Sequence, residues 1–248
     1  MASRVVLKAS NVAAMVGRHR YKPRSEVLDE LVKKYAPDKF TGKTKEDKAE
    51  EALAVSSTAQ EVLESALNIK AENSTQVQRV FSEARDRINF DPKLNNEQKA
   101  EVIEHLRSKV YTTHGIRSED KTSDKVQIDE GVHLVRDDSF YQIEVCRLDD
   151  TRYVIVGKID RIEERPDGSR VLVEIKNRTN RLFNSVPEYE FIQVQVYLQM
   201  LGLVHARLVE QYNNQVKSHD VDRDEETWKN EILPELQKFC EELHSKIT

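Results

Sequence analysis

The stretch from Val154 to Arg181, VIVGKIDRIEERPDGSRVLVEIKNRTNR, reads as two β-strands joined by a turn, with charged residues where a plain core hairpin has none. In the first strand Val154, Val156, Ile159 and Ile162 surround Asp160. Pro166-Asp167-Gly168 is turn chemistry, proline fixing φ and glycine accepting a positive φ. The second strand is β-branched and apolar from Val171 until Glu174 and Lys176 interrupt it. Strand side chains alternate between faces, so Glu174 and Lys176 point the same way. Antiparallel pairing around the turn brings Asp160 within reach of that face.

Two carboxylates and an ammonium buried on one face are costly without a purpose. A divalent cation removes that cost, and hard oxygen ligands suit Mg²⁺ or Mn²⁺. Lys176 is then placed to orient an attacking water or to offset charge on a phosphorane-like transition state. The competing reading is a solvated hairpin, since Asp, Glu and Lys are common on exposed strand faces and a lone E-x-K is a weak motif. The whole pattern is more selective. Gly157-Lys-Ile-Asp160, a turn, then Val-Leu-Val-Glu174-Ile-Lys176 resembles the core of the PD-(D/E)XK nuclease superfamily, with Ile159 where the family's name has proline. The resemblance implies an α/β, restriction-endonuclease-like core, a mixed central β-sheet flanked by helices.

At 248 residues the chain is long enough for one large domain with a sizeable core. With 33% charged residues and a net charge of −5, it is not a broadly basic nucleic-acid binder, so any grip on phosphate comes from local patches or a bridging metal. It has no apolar run of about 18 residues and no signal-peptide core. Two cysteines, Cys146 and Cys240, give neither a disulfide framework nor a zinc pattern. An intracellular protein of the cytoplasm or nucleus is expected, with no membrane partner.

Near the N-terminus, Ser10 is placed to cap a helix that Gly17 ends. Arg18-His19-Arg20-Tyr21-Lys22-Pro23-Arg24 follows as a basic loop, read either as phosphate contacts from Arg18, Arg20 and Lys22 or as a solvated loop. A helix over 25–35 comes next. This order resembles the opening of the YqaJ-type viral recombinase and lambda-exonuclease branch of the same superfamily. In that branch the segment helps to shape the DNA-facing cleft, and the likeness admits a virus-encoded protein. Residues 44–110 read as a helical insertion within a single domain covering 1–248, with helices over 46–53, 58–67, 75–88 and 97–110 and caps at Ser74 and at Asn95 or Asn96. His114-Gly115-Ile116-Arg117-Ser118-Glu119 leads into a further helix toward Val126. G-x-x-x-E resembles the superfamily's opening helix, which implies Glu119 as an outer metal ligand. His114 is open between metal ligand and capping or solvent-facing residue.

Strands are expected over 132–135 and 141–148, with Asp137-Asp138-Ser139 as the turn between them. With the motif hairpin they make a run of roughly three or four antiparallel strands. After Lys176, the loop holding Arg178 and Arg181 is placed either to contact phosphate bidentately or only to solubilise the surface. From Glu188 to Gly202 the pattern Gln193-Val-Gln195-Val alternates like a strand, but its length and terminal glycine favour a helix on which Gln193 and Tyr197 share a face. Q-x-x-x-Y is similar to a RecB-like motif, and Q-V-Q, which includes Gln195, to the YqaJ-type helix. A hairpin over 206–212 and 215–221 turns at Asn213-Asn214. Asp222 then caps a last helix, Glu225 completes its capping box, Pro234 kinks it or splits it near Leu233, and Trp228 packs against the domain.

The ordered motifs imply metal-dependent hydrolysis of DNA phosphodiester bonds by an exonuclease of recombination or repair, acting as a ring-shaped oligomer or with a recombination partner protein. Asp160, Glu174 and the Ile175 carbonyl bind one or two ions, and Glu119 completes the set. Lys176 positions the attacking water, while Gln193 and Tyr197 support it or contact phosphate. Alternatives are a structure-selective DNA endonuclease, an RNA endonuclease if His114 is a ligand, and a catalytically silent binding protein. That all four ligand positions are filled counts against the last.

Overall fold

The computed structural model, which describes residues 3–248, opens with a strand, β1 (Ser3–Lys8), and a short helix, α1 (Val12–Met15), ended by Gly17 at φ 74°. Then come α2 (Arg24–Tyr35), α3 (Lys45–Val55), α4 (Ser57–Asn68), α5 (Ser74–Asn89) and the 35-residue α6 (Asn96–Glu130). Five strands follow: β2 (Leu134–Arg136), β3 (Phe140–Leu148), β4 (Thr151–Lys158), β5 (Arg161–Glu164) and β6 (Arg170–Asn177). The chain ends with α7 (Glu188–Leu201), β7 (His205–Tyr212), β8 (Gln215–Asp222), α8 (Glu225–Thr227), a π-helical turn over Trp228–Ile232, and α9 (Leu233–Ile247).

The strands form two mixed sheets, ordered β1-β4-β3 and β2-β5-β6-β7-β8. β1 is parallel to β4, and β6 is parallel to β7. Parallel neighbours need a crossover connection, and α7 supplies the one between β6 and β7. This mixed α/β arrangement flanked by helices is the restriction-endonuclease-like class expected from the motifs. Among the described residues no helix is long and apolar enough to cross a membrane.

Several local expectations are corrected. The first motif strand is split: β4 belongs to one sheet and β5 to the other, so Asp160 stands on the two-residue step between them. Only β5 pairs antiparallel with β6, from Arg161 opposite Val173 to Glu164 opposite Arg170. β2 and β3 are not a hairpin, because β2 pairs with β5 and β3 with β4. The helices expected on either side of His114 are one helix, α6, since both of its halves are held by packing. Its first half closes an apolar cluster with α4 and α5 that includes Phe81, Ile88 and Leu106. Its second half seats Val126 against Leu134, Val173, Ile175 and Val209 of the larger sheet. Tertiary burial on two fronts outweighs the cost of about 1 kcal/mol for Gly115 inside the helix.

Cap positions also shift by a residue or two. Ser10 lies in a 3₁₀ turn and does not cap α1, Asn73 rather than Ser74 caps α5, and Asp224 rather than Asp222 caps α8 by accepting from the Thr227 N–H. Pro234 stands just after the π-helical turn over Trp228–Ile232, where the helical run changes from π to α, and Trp228 is buried. The main core joins β1 and β4 to α1, α2, α7 and α9, with Leu7, Met15, Ile155, Leu198 and Phe239 fully buried.

Candidate active site

Asp160 is held in place from both sides. Its Oδ2 accepts the Ile175 N–H at 2.7 Å, one step beyond the β5–β6 ladder. The backbone carbonyl of Asp160 accepts from the Arg161 guanidinium at 2.6 Å, and that buried guanidinium also bonds Ser123 and Asp120 of α6. Arg161 thereby ties the step between the sheets to the helix that carries Glu119. Sequence reading missed it, because Arg161 reads as an ordinary strand charge until Asp120, far away in the chain, is seen beside it.

Glu174 and Lys176 do share a face of β6. Lys176 Nζ donates to Glu174 Oε1 at 2.7 Å and to Gln193 Oε1 at 3.3 Å, and Gln193 Nε2 donates to the Tyr197 hydroxyl at 3.2 Å. The helical i,i+4 face expected for Gln193 and Tyr197 is therefore turned onto the lysine. Tyr197 is clamped by close approach of a strand: a Cβ at Gly157 would lie 2.5 Å from its Cε1 and 2.8 Å from Ala9 Cβ. Glu190, from the first turn of α7, is buried and is a further contributor to the field at Lys176. It also escaped the sequence reading; of the two acids that open this apolar helix, Glu188 and Glu190, only the fold shows which is buried.

The electrostatics are those of carboxylates crowded around one cation. Burial, then the charge of Asp160, pushes both Glu119 and Glu174 up to about 7. Burial also raises Asp160, against the pull of Lys176 and the Ile175 N–H. Burial alone lowers a lysine, but Glu174, Asp160 and Glu190 outweigh it and hold Lys176 above its ordinary range, so it is an ammonium. Burial and Glu174 likewise keep the Tyr197 phenol protonated.

Glu119 and Asp160 line one cleft of about 290 Å³, and Glu119, Ile175 and Lys176 line a second of about 610 Å³. Ile116 and Glu119 line both, and Glu119 is the charged side chain at which the two meet. Among the described residues no three His, Cys, Asp or Glu side chains are arrayed as a ready cation cage. Lys176 occupies one oxygen of Glu174 and the Ile175 N–H occupies one of Asp160. The second oxygen of Glu174, Oε2, is buried with no hydrogen-bond partner. An orphaned anionic oxygen among mutually repelling carboxylates fits a hard divalent cation.

The other expected site residues are engaged differently. Arg178 lines the 610 Å³ cleft, but its half-buried guanidinium is already paired, bonded through two nitrogens to Glu190 at 2.6 Å each and to Glu210 at 2.5 Å. Lys22 pairs with Glu30 at 2.9 Å, and Arg18 with Glu231 at 2.7 Å and Glu188 at 3.5 Å. Both are neutralised by local carboxylates. Gln195 is fully buried and bridges the Asp222 carbonyl to the Asp224 N–H, which fixes the end of β8 and takes no part in the acidic cluster. His114 faces the helical layer, bonded to Ser118 at 3.3 Å with its imidazole lowered by burial, and lines neither acidic cleft. Arg20 and Arg181 line a third cleft of about 520 Å³ and have no carboxylate partner among the described residues.

A family model described as the PD-(D/E)XK nuclease superfamily matches residues 19–247, nearly the whole chain. The chain belongs to the PD-(D/E)XK nuclease superfamily. Solved structures similar to this nuclease include a phage-related exonuclease from Haemophilus somnus 129PT, at 12% identity over 98% of this chain and 97% of that one, with a TM-score of 0.45. An alkaline exonuclease from Laribacter hongkongensis is 16% identical over 82% of this chain and 94% of that one, with a TM-score of 0.42. The protein SSO0001 is 17% identical over 73% and 84%, with a TM-score of 0.43. No curated protein matches the chain. Membership of this superfamily makes phosphodiester hydrolysis the chemistry of the fold, and its members generally use divalent metal ions.

Proposed function

We propose that this nuclease is a divalent-metal-dependent deoxyribonuclease, an exonuclease of recombination or repair, with its active site at Asp160, Glu174 and Lys176. The observation that carries this reading is the unpartnered, buried Glu174 Oε2 in the field of Asp160, whose charge also acts on Glu119. Asp160, Glu174 and Glu119 would hold Mg²⁺ or Mn²⁺, one ion or two, together with the Ile175 carbonyl. The bound ion supplies Lewis-acid stabilisation of charge on the phosphoryl oxygens.

The chain's own groups do the rest. Lys176, kept as an ammonium by Glu174 and Asp160, orients the attacking water and faces the negative charge that develops at phosphorus. Gln193 fixes the lysine's direction by accepting from it, and the Tyr197 hydroxyl fixes the amide by accepting from Gln193. Glu174 is buried and Lys176 half-buried, and the reduced access of water strengthens the interactions between them. Residues 44–110 are proposed as an insertion within one domain, because α3–α5 and the first half of α6 enclose an apolar cluster of their own. The YqaJ-type and lambda-exonuclease motif order supports action on DNA ends, and with it a ring-shaped oligomer or a recombination partner.

The test is hydrolysis of end-labelled linear DNA and closed circular DNA with Mg²⁺, Mn²⁺ or EDTA, beside Asp160→Ala and Lys176→Ala. Linear DNA should be shortened from its ends only with metal and only by the unsubstituted protein. Cutting of closed circles would exclude a strict exonuclease, and activity retained by Asp160→Ala would remove the metal assignment.

A further inference from the structure

The cleft that holds Arg20 and Arg181 adjoins the acidic site, since Tyr21 and Tyr189 line both it and the 610 Å³ cleft beside Lys176. Its walls differ from the rest of this acidic protein. Three rings meet there: His19 and Tyr189 at 4.9 Å between centroids, Tyr21 and Tyr189 at 6.1 Å, and His19 and Tyr21 at 6.3 Å. The two tyrosines are edge to face at 74°, so they are not stacked on each other. Tyr21 is 64% exposed, an unusual fraction for a ring next to a deep cleft. His19 is pinned, its Nδ1 accepting from the Tyr21 and Lys22 N–H groups at 3.1 and 2.9 Å.

Charge adds a second, independent feature. Arg20 lies 5.5 Å from the Tyr21 ring centre and Arg181 6.0 Å from that of Phe183. The one acid among the nearby lining residues, Glu188, faces Arg18. The cleft therefore presents exposed aromatic surface, chiefly Tyr21, and two guanidiniums without a carboxylate partner among the described residues, the combination that binds an unpaired nucleotide by stacking its base and holding its phosphate. A base inside a duplex has both faces stacked already and its edge paired, so it cannot enter a concave cleft of this kind.

We propose that this cleft is a nucleotide subsite that receives one base of a single-stranded DNA end next to the scissile phosphate, stacked on Tyr21 and Tyr189 with its phosphates on Arg20 and Arg181. The substrate of the site is then an unpaired strand or a frayed end rather than an intact duplex. This rests on the nuclease reading above only in taking the ligand to be DNA.

Equilibrium binding without hydrolysis tests it. Fluorescence anisotropy of the full chain in EDTA would compare a short labelled single strand, the blunt duplex, and the duplex with a single-stranded overhang. The single strand and the overhang should bind more tightly than the blunt duplex. Tyr21→Ala should weaken single-strand binding by about 5- to 150-fold, the worth of one stacked base, while Tyr21→Phe keeps it. Arg20→Gln with Arg181→Gln should lower the slope of log affinity against log salt by about 0.7 per arginine replaced. Tyr21 is on the surface, and an unchanged melting temperature would confirm that Tyr21→Ala folds. Equal affinity for all three DNAs, or an equal effect of Tyr21→Ala on each, overturns the subsite even if hydrolysis proceeds in Mg²⁺. A protein that keeps the selectivity but hydrolyses nothing would refute the hydrolytic reading and leave the subsite standing.

Discussion

Replacing Asp160 by asparagine should make the metal-free protein more stable, although it removes a residue at the centre of the site. Glu174 has a carboxyl pushed from 4.5 to about 7 by burial first and by Asp160 second. A folded-state value above the unfolded one means that the folded state holds the proton more tightly. The stability this contributes is complete below the unfolded value and is lost as pH rises through about 7. With one unit worth about 1.4 kcal/mol, ionised Glu174 sits about 3 kcal/mol above its relaxed state. Asp160 itself is raised by burial, so its own ionised form also opposes folding.

Asparagine keeps a carbonyl to accept the Ile175 N–H but carries no charge to repel Glu174 or Glu119. Part of the Glu174 burden and most of that of Asp160 should disappear, a gain of about 1–3 kcal/mol at about pH 8 that shrinks as the solution is acidified toward the carboxylate range. Urea unfolding in EDTA across pH measures it. Mg²⁺ at about a hundred times its dissociation constant should stabilise the unsubstituted protein by about 2.7 kcal/mol and the Asp160→Asn protein hardly at all. The two stability curves should therefore cross when metal is added. An asparagine protein less stable than its parent in EDTA above neutral pH, or one that still gains stability from Mg²⁺, would overturn this account of the acidic cluster.

Two other substitutions probe the supports of the site. Gly157→Ala would drive a methyl into the Tyr197 ring and Ala9; overpacking of this kind costs about 1–3 kcal/mol, and it should lower kcat by displacing the Gln193–Tyr197 pair from Lys176, so unchanged thermal unfolding and turnover would contradict the clamp. Arg178→Gln leaves buried Glu190 and Glu210 without their cation, and a loss of about 3–5 kcal/mol in urea unfolding is expected, with no fall in the salt dependence of DNA binding; the opposite pair of results would return Arg178 to the phosphate.

The acidic hairpin was legible because Glu174 and Lys176 interrupt a β-branched run, and burial makes such interruptions expensive. The sheet change at Asp160 was not, since Val154, Val156, Ile159 and Ile162 read as one apolar run although their spacing changes from two to three at the break. β1 could have been suspected from Val5-Val6-Leu7, yet its partner lies at 151–156 and local pattern says nothing of that. Arg178 misled for the same reason. In sequence it closes a polar loop, whereas Glu190 and Glu210 come from α7 and β7 and meet it only after the crossover is built.

That crossover also explains why the site forms where it does. β6 is flanked by β5 on one side only as far as Val173, while β7 continues beside it to Asn177. Beyond Val173 one edge of β6 is therefore bare, and its next free N–H, that of Ile175, needs an acceptor. Asp160 provides it, because the chain leaves the smaller sheet at Lys158 and enters the larger one at Arg161. The carboxylate is thus delivered by the topology to the edge where Glu174, Ile175 and Lys176 emerge, and α7 then lays Gln193 and Tyr197 across the lysine. Extending β5 by two residues would satisfy the backbone and abolish the site. The short strand is what keeps the Asp160 carboxylate on the open edge of β6, bonded to the Ile175 N–H between Glu174 and Lys176.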